Sequence, residues 1–389
     1  MRRSQNGKNP TFAEFFAGIG LLRLALERKG WMARFANDID PLKSQMYFHN
    51  FPSSKDKCFI LGDIHKLDTS LVPTVDLATA SFPCNDLSLA GARSGLAGEQ
   101  SGSFWGFIRI LREMRARRPQ LVLLENVTGF LSSKGGKDFL DALLALNDLG
   151  YSCDAFILDA AYFAPQSRAR LFVVGINDNK LEHEAHEAFR FYESAVRPAA
   201  LADFIFAHPT VRWSLRDLPC PPERKSFLVD ILDAIPHDRK EWWSAERASY
   251  LLSQMSPRHA AVARKMIAGR DYSYGTVFRR VRNGKSMAEL RIDGVAGCLR
   301  TPRGGSGRQI LFKAGKGKYY ARLLTPRECA RLQGVPDSYI IDVPPNQALF
   351  GFGDAVCVPV IEWIAENYLT PALGEGVGGQ AISASLARG

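Results

Sequence analysis

The stretch TFAEFFAGIGLLRLALERK, residues 11–29, reads as strand, turn and helix in direct succession. Thr11–Phe15 has strand character, Ala17-Gly18-Ile19-Gly20 forms the turn, and Leu21, Leu22, Ala25 and Leu26 fall on one face of a helix running to Lys29. A glycine turn between a strand and a helix lets backbone amides come close to a ligand. Further strands are predicted at Arg34–Ala36, Phe59–Leu61, Leu77–Ala80, Leu121–Leu124, Ala155–Leu158 and Leu171–Gly175. Helical patterns lie between them, as at Phe104, Phe107, Ile108 and Leu111 with spacing i, i+3, i+4, i+7. Such alternation predicts a doubly wound α/β fold with a mainly parallel sheet.

The chain has 389 residues, 46% of them apolar, which suits a protein with a sizeable core and more than one domain. No uninterrupted apolar run approaches the roughly 18–20 residues of a membrane-spanning helix, and the basic N-terminus lacks the apolar stretch of an export signal. Seven scattered cysteines without a CxxC pair predict a reducing compartment, no disulfide frame and no metal site; His183 and His186 are read as a solvated helix face. The formal charge is +10, and residues 247–325 hold 17 basic and only 3 acidic residues. A basic segment on a near-neutral body points to a polyanion, with nucleic acid the leading partner. Residues 180–300 show irregular periodicity with few clean strand runs, Gly315–Lys318 marks a hairpin turn, and an apolar helix pattern returns from about Gln347 and is expected to pack back on the first sheet. The expected division is 1–178 for the catalytic and cofactor-binding domain, 179–340 for a smaller, irregular basic domain, 341–372 for the returning segment and 373–389 for a flexible tail.

Three loops at the carboxyl ends of the strands carry candidate chemistry. Asp38 stands twenty residues after Gly18, the position from which a carboxylate holds ribose hydroxyls, so an adenosine-type ligand is expected there. Gly62-Asp63-Ile64 ends another strand, where an adenine amine is recognisable. Ser81-Phe82-Pro83-Cys84 brings a thiol to the same edge, Glu125 follows forty-one residues after Cys84, and Arg168 and Arg170 precede the last strand. This set fits methylation at carbon 5 of a pyrimidine. A thiolate adding at carbon 6 turns the ring into an enamine nucleophilic at carbon 5, and a carboxyl at N3 and a guanidinium at O2 stabilise the charge that develops.

The sequence resembles the cytosine-C5 DNA methyltransferase family through six segments in order: EFFAGIG (14–20), SFPCNDLSLAG (81–91), LLENVTGF (123–130), PQSRARLFVVG (165–175), LTPRECARLQGVPDSY (324–339) and FGDAVCVPVIEWI (352–364). The resemblance implies a Rossmann-like domain that uses S-adenosylmethionine, joined to a smaller target-recognition domain. By the same resemblance Cys84 is the nucleophile, Glu125 contacts N3, and Arg170 with Arg168 contacts the flipped cytosine and its phosphate. Phe16, Ala17, Gly18, Gly20, Asp38, Ile39, Asp63, Ile64, Pro83, Asp354, Ala355 and Val356 would line the cofactor site. The target-recognition region of the family falls where the basic excess lies, with Arg279–Arg282, Arg300–Arg308 and Lys313–Lys318 as candidate contacts to double-stranded DNA. Three positions depart from the pattern: Leu21 replaces a common glycine, Asn85 a glutamine, and Asp354 an asparagine. Compact length suggests a monomeric bacterial or phage modification enzyme of the cytoplasm, acting on the nucleoid, with a cognate restriction endonuclease as family context. Amino-methylation of adenine or cytosine is disfavoured because each Pro-Pro pair precedes Glu223 or Asn346 rather than an aromatic residue. Methylation of tRNA is a second alternative, and a catalytically silent DNA-binding protein a third.

Overall fold

The computed structural model describes residues 9–54, 58–83, 102–177, 194–282, 284–301 and 307–375. Seven strands build the larger sheet: β1 Thr11–Phe15, β2 Met32–Asp38, β3 Phe59–Leu61, β4 Leu77–Ala80, β5 Leu121–Val127, β6 Tyr151–Asp159 and β7 Ala169–Asn177. Their order is β3-β2-β1-β4-β5-β7-β6, with β1 to β5 mutually parallel and β7 antiparallel to both its neighbours. The predicted strands of the first 175 residues all form, and the structure lengthens four of them.

Side chains alternate across this sheet as a two-residue period requires. Phe12, Leu121, Leu123, Phe172 and Val174 face one core. It also takes helix α1 (Leu21–Arg28) and the C-terminal helices α8 (Pro326–Leu332), α9 (Pro345–Asp354), α10 (Val358–Ile364) and α11 (Thr370–Glu375). Ala13, Phe15, Val122, Leu124 and Val173 face the other. There they pack on α3 (Ser103–Met114), α4 (Lys137–Asp148) and α5 (Ala199–Ala207), so both faces are covered and the strands read as apolar runs. Helix α2 (Pro41–Asn50) follows β2, with Asp40 as its cap accepting from Leu42 N and Lys43 N. The helical span Pro345–Gly374 is long and apolar enough to cross a membrane by length and composition, but 67% of its most apolar window is buried inside the protein. It supplies core: Val358, Ile361, Ile364, Tyr368 and Leu369 are inaccessible beneath the sheet.

The second unit is more regular than its sequence suggests. Strands β8 (Ser273–Arg282), β9 (Lys285–Arg291), β10 (Ile310–Gly315) and β11 (Lys318–Leu323) form an antiparallel sheet in the order β11-β10-β8-β9. Helices α6 (Ala245–Ser253) and α7 (Pro257–Ile267) cover one face, enclosing Val277, Leu290, Ile310, Phe312 and Ala321. The period-2 signal was hidden because the other face of β8 carries Tyr274, Thr276 and Phe278, which blur the apolar/polar alternation. The β10–β11 turn falls at the expected place, with Lys316 and Gly317 both at positive φ (57° and 73°), the backbone of a two-residue type I′ hairpin. Segments either side of this sheet pack on the large one: Leu201, Phe204 and Ile205 join the α4 face, and Leu324, Ala330 and Leu332 the α1 face.

Candidate active site

The strand order reverses between β1 and β4, and the crevice beyond the carboxyl ends of strands flanking such a switch is where open α/β sheets bind ligands. The turn after β1 is shaped by three positive φ angles, at Phe16 (58°), Gly18 (56°) and Gly20 (81°). A Cβ at Gly20 would stand 2.6 Å from the Phe51 ring and 2.8 Å from that of Tyr47, so only glycine lets α1 start there. The Gly18 amide donates to Asp38 Oδ2 at 2.7 Å and the Asp40 amide to Oδ1 at 2.8 Å, fixing the carboxylate across the turn. Burial raises the Asp38 pKa above the ordinary value, opposed by those amides and by Lys43.

Asp63 lies on the adjacent edge and caps the following turn by accepting from the His65 amide at 2.9 Å. Two large apolar side chains are left exposed beside these acids, Ile39 at 67% and Leu61 at 50%. Apolar surface beside a fixed carboxylate is what an adenosine needs, rings on one side and hydroxyls on the other. Leu61 was absent from the sequence-derived set, and only its place at the end of β3 signalled it. From the other side, Gly351 packs against Ile19 of the turn, bringing the end of α9 to the site. Asp354 there accepts from Lys43 Nζ at 2.7 Å and from the Thr301 hydroxyl, so its added charge is paired. Val356 points into the core and Ala355 is half-buried.

The second cluster lies at the ends of β4 and β5 and the start of β7. Glu125, 5% exposed, accepts from the Ser81 hydroxyl with Oε2 and pairs through Oε1 with Arg170 Nε at 3.1 Å. Asn126 Nδ2 donates to Phe82 O at 3.2 Å. Ser81 and Asn126 therefore tie the strand end carrying Glu125 to the three residues, Ser81–Pro83, that lead into Cys84. Cys84 and Asn85 themselves lie outside the described residues, as do His183 and His186. Among the described residues no group of three or more His, Cys, Asp or Glu is arranged to hold a metal.

The structure separates the two arginines. Arg170 pairs with Val127 in the β5–β7 ladder and faces the crevice beside Glu125. Arg168 is 3% exposed, and its guanidinium donates to Leu299 O (3.0 Å), Gly353 O (3.0 Å) and Ala355 O (2.7 Å). With those donors committed to backbone carbonyls, Arg168 serves as a brace between β7, the 295–301 segment and the end of α9. Gln166 reinforces it: wholly buried, it accepts from the Leu299 amide (3.0 Å) and donates to Leu332 O (3.0 Å) and Gln333 Oε1 (3.2 Å). Two guanidiniums approach the Phe278 ring, Arg280 at 5.4 Å and Arg300 at 5.2 Å from its centre. Sequence reasoning singled out neither Ser81 nor Gln166, although both stand inside the segments it quoted.

Residues 10–370 match the model of a family described as C-5 cytosine-specific DNA methylase. Among curated proteins, the chain is 31% identical over 357 residues to the type II methyltransferase M.NlaX of Neisseria lactamica, covering 91% of this chain and 94% of that one. It is 29% identical over 362 residues to the type II methyltransferase M.HhaI of Haemophilus parahaemolyticus, covering 92% and 93%. Among solved structures, the S. pombe Dnmt2 methyltransferase aligns with a TM-score of 0.59 at 17% identity, covering 95% of this chain and 98% of that one. A putative DNA modification methyltransferase encoded within an E. coli prophage aligns with a TM-score of 0.55 at 18% identity, covering 94% and 100%. At those identities the structural likeness speaks for the fold.

Proposed function

The chain belongs to the C-5 cytosine-specific DNA methylase family, and from that membership we propose that it methylates C5 of a cytosine flipped out of duplex DNA, with Cys84 as the covalent nucleophile and S-adenosylmethionine as the methyl donor. The observation that carries this reading is the Ser81–Glu125–Arg170 cluster, which holds a carboxyl and a guanidinium side by side at the end of the strand leading to Cys84.

Cys84 adds to C6 of the base, and its electron pair passes through the ring toward N3 and O2. Glu125 meets N3 and Arg170 meets O2, so the charge forms against groups already in place. The enamine carbon C5 then takes the methyl group, and loss of the C5 proton with expulsion of the sulfur restores the ring. The donor's residues fit on structural grounds: amides of the positive-φ turn, the Asp38 carboxylate for hydroxyls, and exposed Ile39 and Leu61 for an adenine. When bound there, S-adenosylmethionine supplies the electrophilic methyl. Phe16, Ala17, Gly20, Asp63, Pro83 and Ala355 shape the rest of this rim, while the side chains of Ile64 and Val356 pack in the core beneath it.

The base is reached by flipping, a general solution for enzymes that act on bases inside a duplex. We assign DNA reading to the basic 179–340 region, with phosphate contacts from its Lys and Arg side chains and base contacts near Phe278, Arg280 and Arg300. We read it as a cytoplasmic modification enzyme acting as a monomer; the type II designation of the relatives supports a cognate endonuclease beside it. Incubation with methyl-labelled cofactor and mixed-sequence duplex tests the proposal: label appears at cytosine C5, and a duplex containing 5-fluorocytosine becomes linked to the peptide holding Cys84. Label on tRNA but not duplex, or a link to another residue, would overturn it.

A further inference from the structure

We propose that Cys298 is a positioning residue of the cytosine pocket, a sulfur acceptor that holds the Arg170 guanidinium in register with Glu125; this deepens the methyl-transfer reading and rests on it. Cys298 lies in the segment after β9 that crosses the start of β7. There the Ala296 amide donates to Pro165 O at 2.7 Å and the Ser167 amide to Ala296 O at 2.9 Å. This crossing brings Cys298 Sγ to 3.3 Å from Arg168 Nη1 and 3.8 Å from Arg170 Nη2.

Among the described residues, three contacts hold Arg170 on this side. Its Nε faces Glu125 at 3.1 Å, its Nη1 donates to Ala169 O at 2.9 Å, and its Nη2 faces the sulfur. The sulfur is what Nη2 meets on the Cys298 side, adding an anchor to those at Nε and Nη1. The sulfur is suited to either protonation state. As a thiol it has Leu299 O as an acceptor at 3.2 Å, and as a thiolate it has two guanidinium donors. Burial alone would raise the Cys298 pKa, but the Arg168 and Arg170 guanidiniums leave it below the ordinary thiol value. The segment that contributes to DNA reading thus supplies one wall of the chemistry's arginine holder. No motif marked this residue in the sequence, because only the chain crossing brings it to β7.

The test uses the full chain with three kinds of measurement. Cys298→Ala is expected to lower kcat on duplex DNA about 10- to 100-fold, the loss expected for a group displaced by about 1 Å, with KM for DNA changed less than about threefold because Arg170 meets the base and not the phosphates. Cys298→Ser, which keeps an acceptor at the same place, is expected to recover to within about threefold of the parent kcat. Iodoacetamide modification of Cys298, followed by peptide mass spectrometry across pH, is expected to show an inflection below that of exposed Cys220. Parent-like kcat in the alanine variant, a serine variant as impaired as the alanine one at equal melting temperature, or an inflection at or above that of Cys220 would each overturn the inference. If the parent transfers no methyl to cytosine C5, the functional reading fails while the alkylation profile still decides whether the sulfur faces the guanidiniums.

Discussion

Glu125→Gln preserves the shape of the side chain and an oxygen for Ser81 while removing the charge opposite Arg170. The lost interaction is sizeable. At 3.1 Å separation, with side chains 16% and 7% exposed, two unit charges attract by about 5 kcal/mol at an effective dielectric of about 20. Desolvation of both groups has already consumed much of that, and Arg170 retains Ala169 O and Cys298 as partners. The net stability loss is therefore expected at about 1–3 kcal/mol. Catalysis should suffer more. The amide cannot deliver a proton or hold the charge developing at N3, and loss of a positioned acid costs about 10²- to 10⁴-fold in rate. Single-turnover transfer to saturating duplex, run beside urea unfolding of both proteins, separates the two effects. A rate within about tenfold of the parent in a well-folded variant would refute the role assigned to Glu125.

Three further outcomes follow from named contacts. Gly20→Ala forces a Cβ into the Phe51 and Tyr47 rings and a side chain onto a φ of 81°; a loss of about 2–5 kcal/mol is expected in urea unfolding, with weaker S-adenosylmethionine binding by calorimetry. Glu14 in β1 is 3% exposed with its Oε2 unpartnered among the described residues, and burial pushes its pKa up to about 8 against the opposing pull of Arg23. The folded protein then keeps this proton from the unfolded value of 4.5 up to about 8. Stability from this group is full below 4.5 and lost as pH rises through 8, and Glu14→Gln should flatten that decline in unfolding midpoints measured from pH 5 to 9. Binding to duplex should weaken about 10³-fold or more between 50 and 200 mM salt if six or more phosphates are contacted, and fluorescence anisotropy at several salt concentrations reads the slope; a flat profile would remove the basic segment from the interface.

Much of this molecule was legible before its structure. The large sheet was readable because most of its strands are short apolar runs, and because Gly18 and Gly20 occupy backbone that other residues avoid. The small sheet was not, since its outer face carries Tyr274 and Phe278 where polar residues would have revealed the alternation. In the site, Glu125 and Arg170 come together at the ends of β5 and β7, the sheet edge to which their places beside predicted strands assigned them. The separate task of Arg168 was invisible, for its partners are carbonyl oxygens of residues 299, 353 and 355, and backbone acceptors leave no mark on a sequence. Cys298 and Lys43 escaped because each matters through a side-chain contact made by distant segments.

The buried Gln166–Arg168 strap also limits how such enzymes acquire new targets. It stitches Leu299 to Leu332, Gln333, Gly353 and Ala355 at a point where side chains are wholly enclosed. A recognition module borrowed from a relative and spliced in at Gly294 and Leu324 would bring a foreign partner to that knot, and its new specificity would arrive with a misaligned pocket. Junctions placed at Ser273 and Val295, leaving the knot intact, let the β8–β9 hairpin diverge while the machinery beneath it stays untouched.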